Sequence, residues 1–336
     1  MSVAPGAATR VPVAVSVLLA DHVDGPDRTL EVLAAFPAAL YLADPQDPSR
    51  TIAVVTRDAA VPPAALVLPV ERDRAGLVGL ARDASAGVGG GVVRIGPLRL
   101  VPSRWFDPRP RPPAGADPSA AARRLEGLLV TDAVARRVAD AVADAVDARV
   151  GALRDALDRR DPVAAAGAGR ELVGIGPGLT PSGDDVLAGL LATAAVLGRA
   201  GVDTRSGPVL GAVRSAVLDI AADRTTLLSA SLLRDAVGGA MVSPAARLLL
   251  ALLAPADRRD PSGTRAALAD LLALGASSGR DLAEGMLLAL RLAAGAGTDA
   301  AVTLEPAVPP PAALRSSILR PSDAPALVAT DPWSPR

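Results

Sequence analysis

The chain has no cysteine and no lysine, one histidine (His22), and only two Trp, two Phe and one Tyr in 336 residues. Without cysteine there are no disulfides, thiolate nucleophiles or Cys-ligated zinc. Without lysine there is no Walker-type phosphate loop, Schiff base or Ser-Lys dyad, and a lone histidine leaves no multi-His metal site. Aromatics at about 1% remove the stacking platforms that single-strand binders use. The charges nearly cancel, 35 basic residues against 36 acidic for a net −1, so nothing electrostatic favours nucleic acid or an acidic membrane surface. Chemistry is left to Asp, Glu, Ser, Thr, Arg and backbone groups.

The apolar run at residues 11–20 has only Arg10 before it and Asp21-His22-Val23-Asp24 after it, with no small-x-small cleavage site, so it reads as a buried strand rather than a signal-peptide core. A cytoplasmic protein is expected, with His22 as an exposed loop residue. Further short β-type runs occupy residues 39–43, 51–56, 65–70, 92–95 and 98–101, bounded by Pro, Gly or Asp, and Gly96-Pro97 marks a hairpin. Arg104-Trp105-Phe106-Asp107 reads as an aromatic plug over one end of the sheet, or else as a ligand contact. The expectation is an α+β chain. A small, mostly antiparallel β domain covers residues 1–106, a Pro-rich linker 107–119, an all-helical bundle domain 120–296 and a Pro-rich, disordered tail 297–336; the first ten residues should also be poorly ordered. Residues 120–160 carry the amphipathic spacing of a bundle face, and further helices are expected at 209–222, 244–253 and 264–274.

The stretch Gly174-Ile-Gly-Pro-Gly-Leu-Thr-Pro-Ser-Gly-Asp-Asp185 stands out. Gly174, Gly176 and Gly178 with Pro177 permit a sharply bent loop. It feeds a helix that is apolar on nearly all sides over residues 186–197, hence buried, and too short and too acidic at its start to span a membrane. Either Thr180 caps this helix with Pro181 at its first position, or Ser182 caps it with Asp185 three residues on. Both placements leave free backbone N–H groups and the positive end of the helix dipole beside the loop, as an anion site requires. Ser182-Gly-Asp-Asp-Val-Leu-Ala-Gly recurs as Ser278-Gly-Arg-Asp-Leu-Ala-Glu-Gly at an offset of 96 residues. Asp185 and Gly189 share a face one turn apart, as do Asp281 and Gly285. The expected arrangement is two pseudo-repeated Ser-Gly-x-Asp helix starts that cross at these glycines and point at one pocket; the alternative is two ordinary capped helices packed through small residues. Thr226 and Ser229, at i and i+3, either bond back to their own helix or face that pocket. The glycine run at 174–178 lacks the spacing of a dinucleotide fingerprint.

On the segments Gly176-Pro-Gly-Leu-Thr-Pro-Ser-Gly-Asp-Asp185, Thr226-x-x-Ser229 with Gly238, and Ser277-Ser-Gly-Arg-Asp281, the chain resembles a bacterial group, domain-of-unknown-function family 2877. The resemblance covers about residues 172–292 well and the β portion only loosely, around Trp105-Phe106-Asp107. The family includes an oxamate carbamoyltransferase subunit of the allantoin operon that works with two other protein types. The resemblance therefore implies purine and allantoin catabolism, partner subunits, and carbamoyl transfer between carbamoyl phosphate and oxamate. It also implies a histidine just before Ser277, where this chain has Ala276, and the Ser-Thr-Arg-Thr phosphate loop of ordinary transcarbamoylases is missing.

Such a transfer needs donors for a phosphate and for charge developing on a carbonyl oxygen, not a covalent nucleophile. The catalytic candidates are Asp184, Asp185 and Asp281. The ligand-binding candidates are Gly176, Gly178, Thr180, Ser182, Gly183, Thr226, Ser229, Ser277, Ser278 and Gly279. No cofactor is required, though the three aspartates could hold Mg²⁺. Two other functions remain open at this point, a non-catalytic subunit that organises a partner enzyme and a Mg-dependent small-molecule hydrolase. Neither a nucleic acid nor a membrane is expected among the partners.

Overall fold

The computed structural model describes residues 9–81, 85–135, 141–202 and 206–295, with the side chains of residues 48, 132–135 and 141–144 left aside. The residues ahead of Thr9 and the tail expected at 297–336 lie outside the described residues. Eight strands come first: β1 (Thr9–Ser16), β2 (Arg28–Ala35), β3 (Ala39–Asp44), β4 (Asp47–Val55), β5 (Ala65–Val67), β6 (Ala86–Gly89), β7 (Val92–Ile95) and β8 (Leu98–Phe106). They close into a barrel in the order β1-β5-β4-β3-β2-β6-β7-β8. Pairing is antiparallel except between β4 and β5 and between β1 and β8. The β1–β8 ladder, extending from Thr9↔Leu98 to Ser16↔Phe106, closes the ring. The expected antiparallel sheet is thereby corrected to a closed barrel, which leaves no unpaired edge.

Alternation explains the closure. Val13 and Val15 on β1, Leu40 and Leu42 on β3, Ile52 and Val54 on β4, and Val93 and Ile95 on β7 all point into one core. Each such burial contributes about 1.5–3 kcal/mol. The first strand is shorter than its apolar run, because the Ser16 side chain accepts from the Leu18 N–H (3.2 Å) and turns the chain into a 3-10 turn over Val17–Leu19. The helix α1 (Ala20–Val23) follows and carries His22, so this residue is not in an exposed loop: its side chain is mostly buried, with Nε2 3.4 Å from Asp47 Oδ2. Two further short helices, α2 (Arg72–Ala75) and α3 (Leu77–Ala81), cover part of the barrel, and Leu77 enters its core. Trp105 and Phe106 divide between two environments rather than forming one plug. Trp105 packs against the barrel core, whereas Phe106 joins Ala14, Ala53, Val55 and Ala65 in a separate cluster.

After an irregular stretch in which Asp107 pairs with Arg109 (2.7 Å), the chain is helical. The helices are α4 (Pro118–Ala135), α5 (Ala141–Asp158), α6 (Pro162–Leu172), α7 (Ser182–Arg199), α8 (Gly207–Arg224), α9 (Leu227–Val237), α10 (Ser243–Leu253), α11 (Pro261–Leu272) and α12 (Ser278–Gly295). Asp161 and Asp260 cap α6 and α11 through their side chains, each with proline in the first turn. The centre is α7, whose Val186, Leu187, Leu190, Leu191, Val196 and Leu197 are buried in one continuous core with α6, α8, α9, α10 and α12. Barrel and bundle meet through polar contacts. The Thr51 N–H donates to Ser231 Oγ (3.0 Å), the Val61 N–H to Ser243 Oγ (3.0 Å), and Arg50 pairs with Asp235 (2.5 Å).

Candidate functional site

The helices α7 and α12 cross with their backbones in direct contact. A Cβ added at Gly189 would lie 2.2 Å from the Leu282 carbonyl oxygen, and one added at Gly285 would lie 1.9 Å from that of Val186. Only glycine permits so close an approach. Gly189 and Gly285, and Val186 and Leu282, are both related by the offset of 96, so the crossing is reciprocal. A comparable contact lies beneath each helix start. A Cβ at Gly183 would meet the Leu172 carbonyl oxygen at 2.0 Å, and one at Gly279 that of Leu271 at 1.9 Å. Each start is thus pressed onto the end of the helix before it, α6 or α11.

The hydroxyls do not cap their own helices as expected. Pro181 occupies the cap position of α7 with no side-chain bond. Instead the hydroxyls of one helix start reach those of the other: Ser182 Oγ lies 3.1 Å from Ser277 Oγ, and Thr180 Oγ1 lies 3.1 Å from Ser278 Oγ. The expected row of free N–H groups is also largely used. The Gly183 N–H donates to the Ile175 carbonyl (2.9 Å) and the Gly279 N–H to that of Leu274 (3.1 Å), while Asp184 and Asp185 donate to Pro181 and Arg280 and Asp281 to Ser277. Among the described residues, no backbone carbonyl accepts from the N–H groups of Ser182 and Ser278.

The two carboxyls follow the same reciprocity. Asp185 on α7 interacts with Ser278 and Thr180, and Asp281 on α12 with Ser182 and Ser277. Asp185 is only 5% exposed. Burial pushes its carboxyl up to about 7, and the neighbouring charges of Asp281 and Asp184 act in the same direction, against the two hydroxyl bonds. Burial likewise raises Asp281. One oxygen of each carboxyl, Oδ2 in both, is buried and has no partner within the protein.

Asp184 belongs to a different constellation. It accepts from the Gly174 N–H (2.9 Å) through Oδ1 and from the Thr225 hydroxyl through Oδ2, and Ser229 also reaches it. Thr226 caps α9 by accepting from the Ser229 N–H (3.1 Å), and donates to the Leu179 carbonyl (2.6 Å). Asp184, Thr225, Thr226 and Ser229 therefore brace the glycine loop from behind. Thr225 carries no motif signal and is visible only once α8 is seen to end beside α7. Gly176 and Gly178 adopt φ of +115° and +98°, and nothing would obstruct a Cβ at Gly178, on the open side of the loop.

The structure brings together Thr180, Ser182, Asp185, Ser277, Ser278 and Asp281, over Gly183 and Gly279. No group of three His, Cys, Asp or Glu placed to hold a metal ion occurs among the described residues, and Asp184 is engaged away from Asp185 and Asp281. What the six residues offer is a set of hydroxyl donors around two carboxyls that hold protons more tightly than usual. A carboxyl titrating near 7 can both give and take a proton at neutral pH. No helix among the described residues is long and apolar enough to cross a membrane. No solved structure matches the chain. Residues 172–290, which carry every residue of this site, match the family described as oxamate carbamoyltransferase subunit AllH.

Proposed function

We propose that the chain is a subunit of an oxamate carbamoyltransferase-like enzyme and holds an anionic ligand of the carbamoyl phosphate or oxamate kind at the paired starts of α7 and α12. The observation that carries this reading is the reciprocal pairing of Asp185 with Ser278 and of Asp281 with Ser182 across the glycine crossing. The family match over the same segment supports the reaction class and the need for partner subunits. The raised carboxyl of Asp185 answers the objection that carboxylates repel an anion, since near pH 7 about half of such groups are uncharged donors. In the transfer, the oxamate nitrogen attacks the carbamoyl carbon, the bond from that carbon to the phosphate oxygen breaks, and the nitrogen loses one proton. In its ionised form, the other half of the population near pH 7, Asp185 accepts that proton, while hydroxyls of Ser182 and Ser278 donate to the carbonyl oxygen as charge develops on it. Asp184 acts as a positioning residue for the loop.

A partner-organising role without catalysis is the second reading. Leu179 and Leu227 favour it, because they are 40% and 39% exposed beside the glycine loop, as expected of a surface that another subunit covers. Thermal unfolding of the chain with oxamate, oxalurate, carbamoyl phosphate, phosphate or Mg²⁺ separates the two. A ligand at about a hundred times its Kd adds roughly 2.7 kcal/mol to the folded state. The proposal expects stabilisation by oxamate or carbamoyl phosphate that Asp185→Ala abolishes; no shift with either ligand in a well-folded protein supports the organising role instead.

A further inference from the structure

On the far side of the barrel from the bundle, the outer face carries an alignment of like charge. Around the ring, β7 lies opposite β4, the strand that meets α9. Strand register sets Arg10 directly beside Arg99, Arg99 beside Arg94, Arg94 beside Gly87 and Gly87 beside Thr29, in one row across β1, β8, β7, β6 and β2. Val93, Ile95 and Leu100 point inward, so the row points out. Like charges directly opposite each other destabilise a sheet. Only part of this charge is answered from within. Arg94 pairs with Asp27 (2.8 Å), whereas Arg99 Nη1 donates to the carbonyls of Gly96 (2.9 Å) and Leu98 (3.1 Å). Gly87 adds no side chain to the row, and the Arg94 guanidinium lies over it: a Cβ there would meet the Arg28 carbonyl oxygen at 3.0 Å and Nη2 of Arg94 at 3.5 Å. Beside it is a polar cleft of about 210 Å³ lined by Arg94, Arg99, Thr29 and the Asp27 carboxylate that Arg94 holds; Arg28 also borders it, with its own guanidinium held by the buried Asp44 (2.9 Å).

We propose that this cleft is a second ligand site, one for a small phosphoryl dianion. The guanidinium groups of Arg94 and Arg99, with the Thr29 hydroxyl beside them, supply donors from several directions, which suits a tetrahedral oxyanion, and a bound dianion offsets the repulsion between Arg94 and Arg99. The site is separate from the helix starts and does not depend on the function assigned to them.

The test is calorimetric titration of the full chain with inorganic phosphate and pyrophosphate at constant ionic strength, in the Asp185→Ala background so that the helix-start site does not contribute. Saturable binding is expected, weakened about tenfold or more by Arg99→Ala or Arg94→Ala, each of which removes charged hydrogen bonds. Thr29→Glu, at an exposed position, should abolish it while the protein melts as a folded chain. Absence of saturable binding, or binding that survives Arg99→Ala and Thr29→Glu, overturns the proposal.

Discussion

At the residue scale the account turns on Asp185. Its folded-state carboxyl, raised from 3.8 to about 7, lies above the unfolded value, so the folded chain holds the proton more tightly. The associated stability is fully present below about pH 4 and is lost as the pH rises through 7, a change on the order of 4 kcal/mol. Asp281 acts with the same sign. Asp185→Asn should therefore match the parent protein near pH 4 and exceed it in stability at pH 8, as urea denaturation across that range would measure. Parallel curves at every pH would remove the buried, proton-holding carboxyl from the account. The sequence named Asp184 and Asp185 together and could not separate them. Neighbouring helical residues point about 100° apart, so one faces α12 while the other meets Gly174 and Thr225, and the chain alone does not reveal which.

At the scale of elements, the glycines of α7 and α12 decide the packing. Gly189→Ala and Gly285→Ala each place a methyl within 2.2 Å or 1.9 Å of a carbonyl oxygen, so the helices must separate. Each should destabilise the fold by about 1–3 kcal/mol or more and weaken ligand binding with it. Gly127→Ala on the exposed face of α4, where a Cβ meets nothing within 4 Å, should instead stabilise by about 0.5–1 kcal/mol. A melting series of the three variants checks both signs, and equal effects at Gly189 and Gly127 would contradict a backbone-to-backbone crossing. Much of this was legible, since the offset of 96 and the Asp-to-Gly spacing were readable in the chain. The hydroxyl pattern was not. Ser182 and Thr180 look like caps in sequence, and only the proximity of Ser277 and Ser278 draws them away from that role. In the barrel, β3, β7 and β8 were marked by β-branched or apolar runs, whereas β2 interleaves Arg28 and Glu31 among its apolar residues and β6 contains two glycines, so neither carries strand propensity.

At the scale of the whole molecule, barrel and bundle are joined by buried polar groups. Asp235 is almost fully buried, burial raises its carboxyl, and Arg50 supplies the compensating charge. Arg50→Ala leaves that carboxyl without its cation and should destabilise the chain by about 3–5 kcal/mol at neutral pH. The loss should shrink in acid as Asp235 takes up a proton, which denaturation at pH 4 and pH 7 would show; an equal loss at both would mean the ion pair does not hold the junction. Nothing in the sequence pairs these residues, because 185 residues separate them and they lie in different kinds of element, a barrel strand and a bundle helix. Closure itself was equally hidden. It depends on the ladder between β1 and β8, the first and last strands, which no local pattern encodes.

The most direct measurement is a crystal structure of the chain soaked with oxamate and, separately, with carbamoyl phosphate. The account predicts ligand density between the two helix starts, within hydrogen-bond reach of Ser182, Ser278 and the Asp185 carboxyl. Oxamate bound elsewhere while the helix starts hold only solvent would contradict it, and would leave α7 and α12 as scaffolding for a partner's active site.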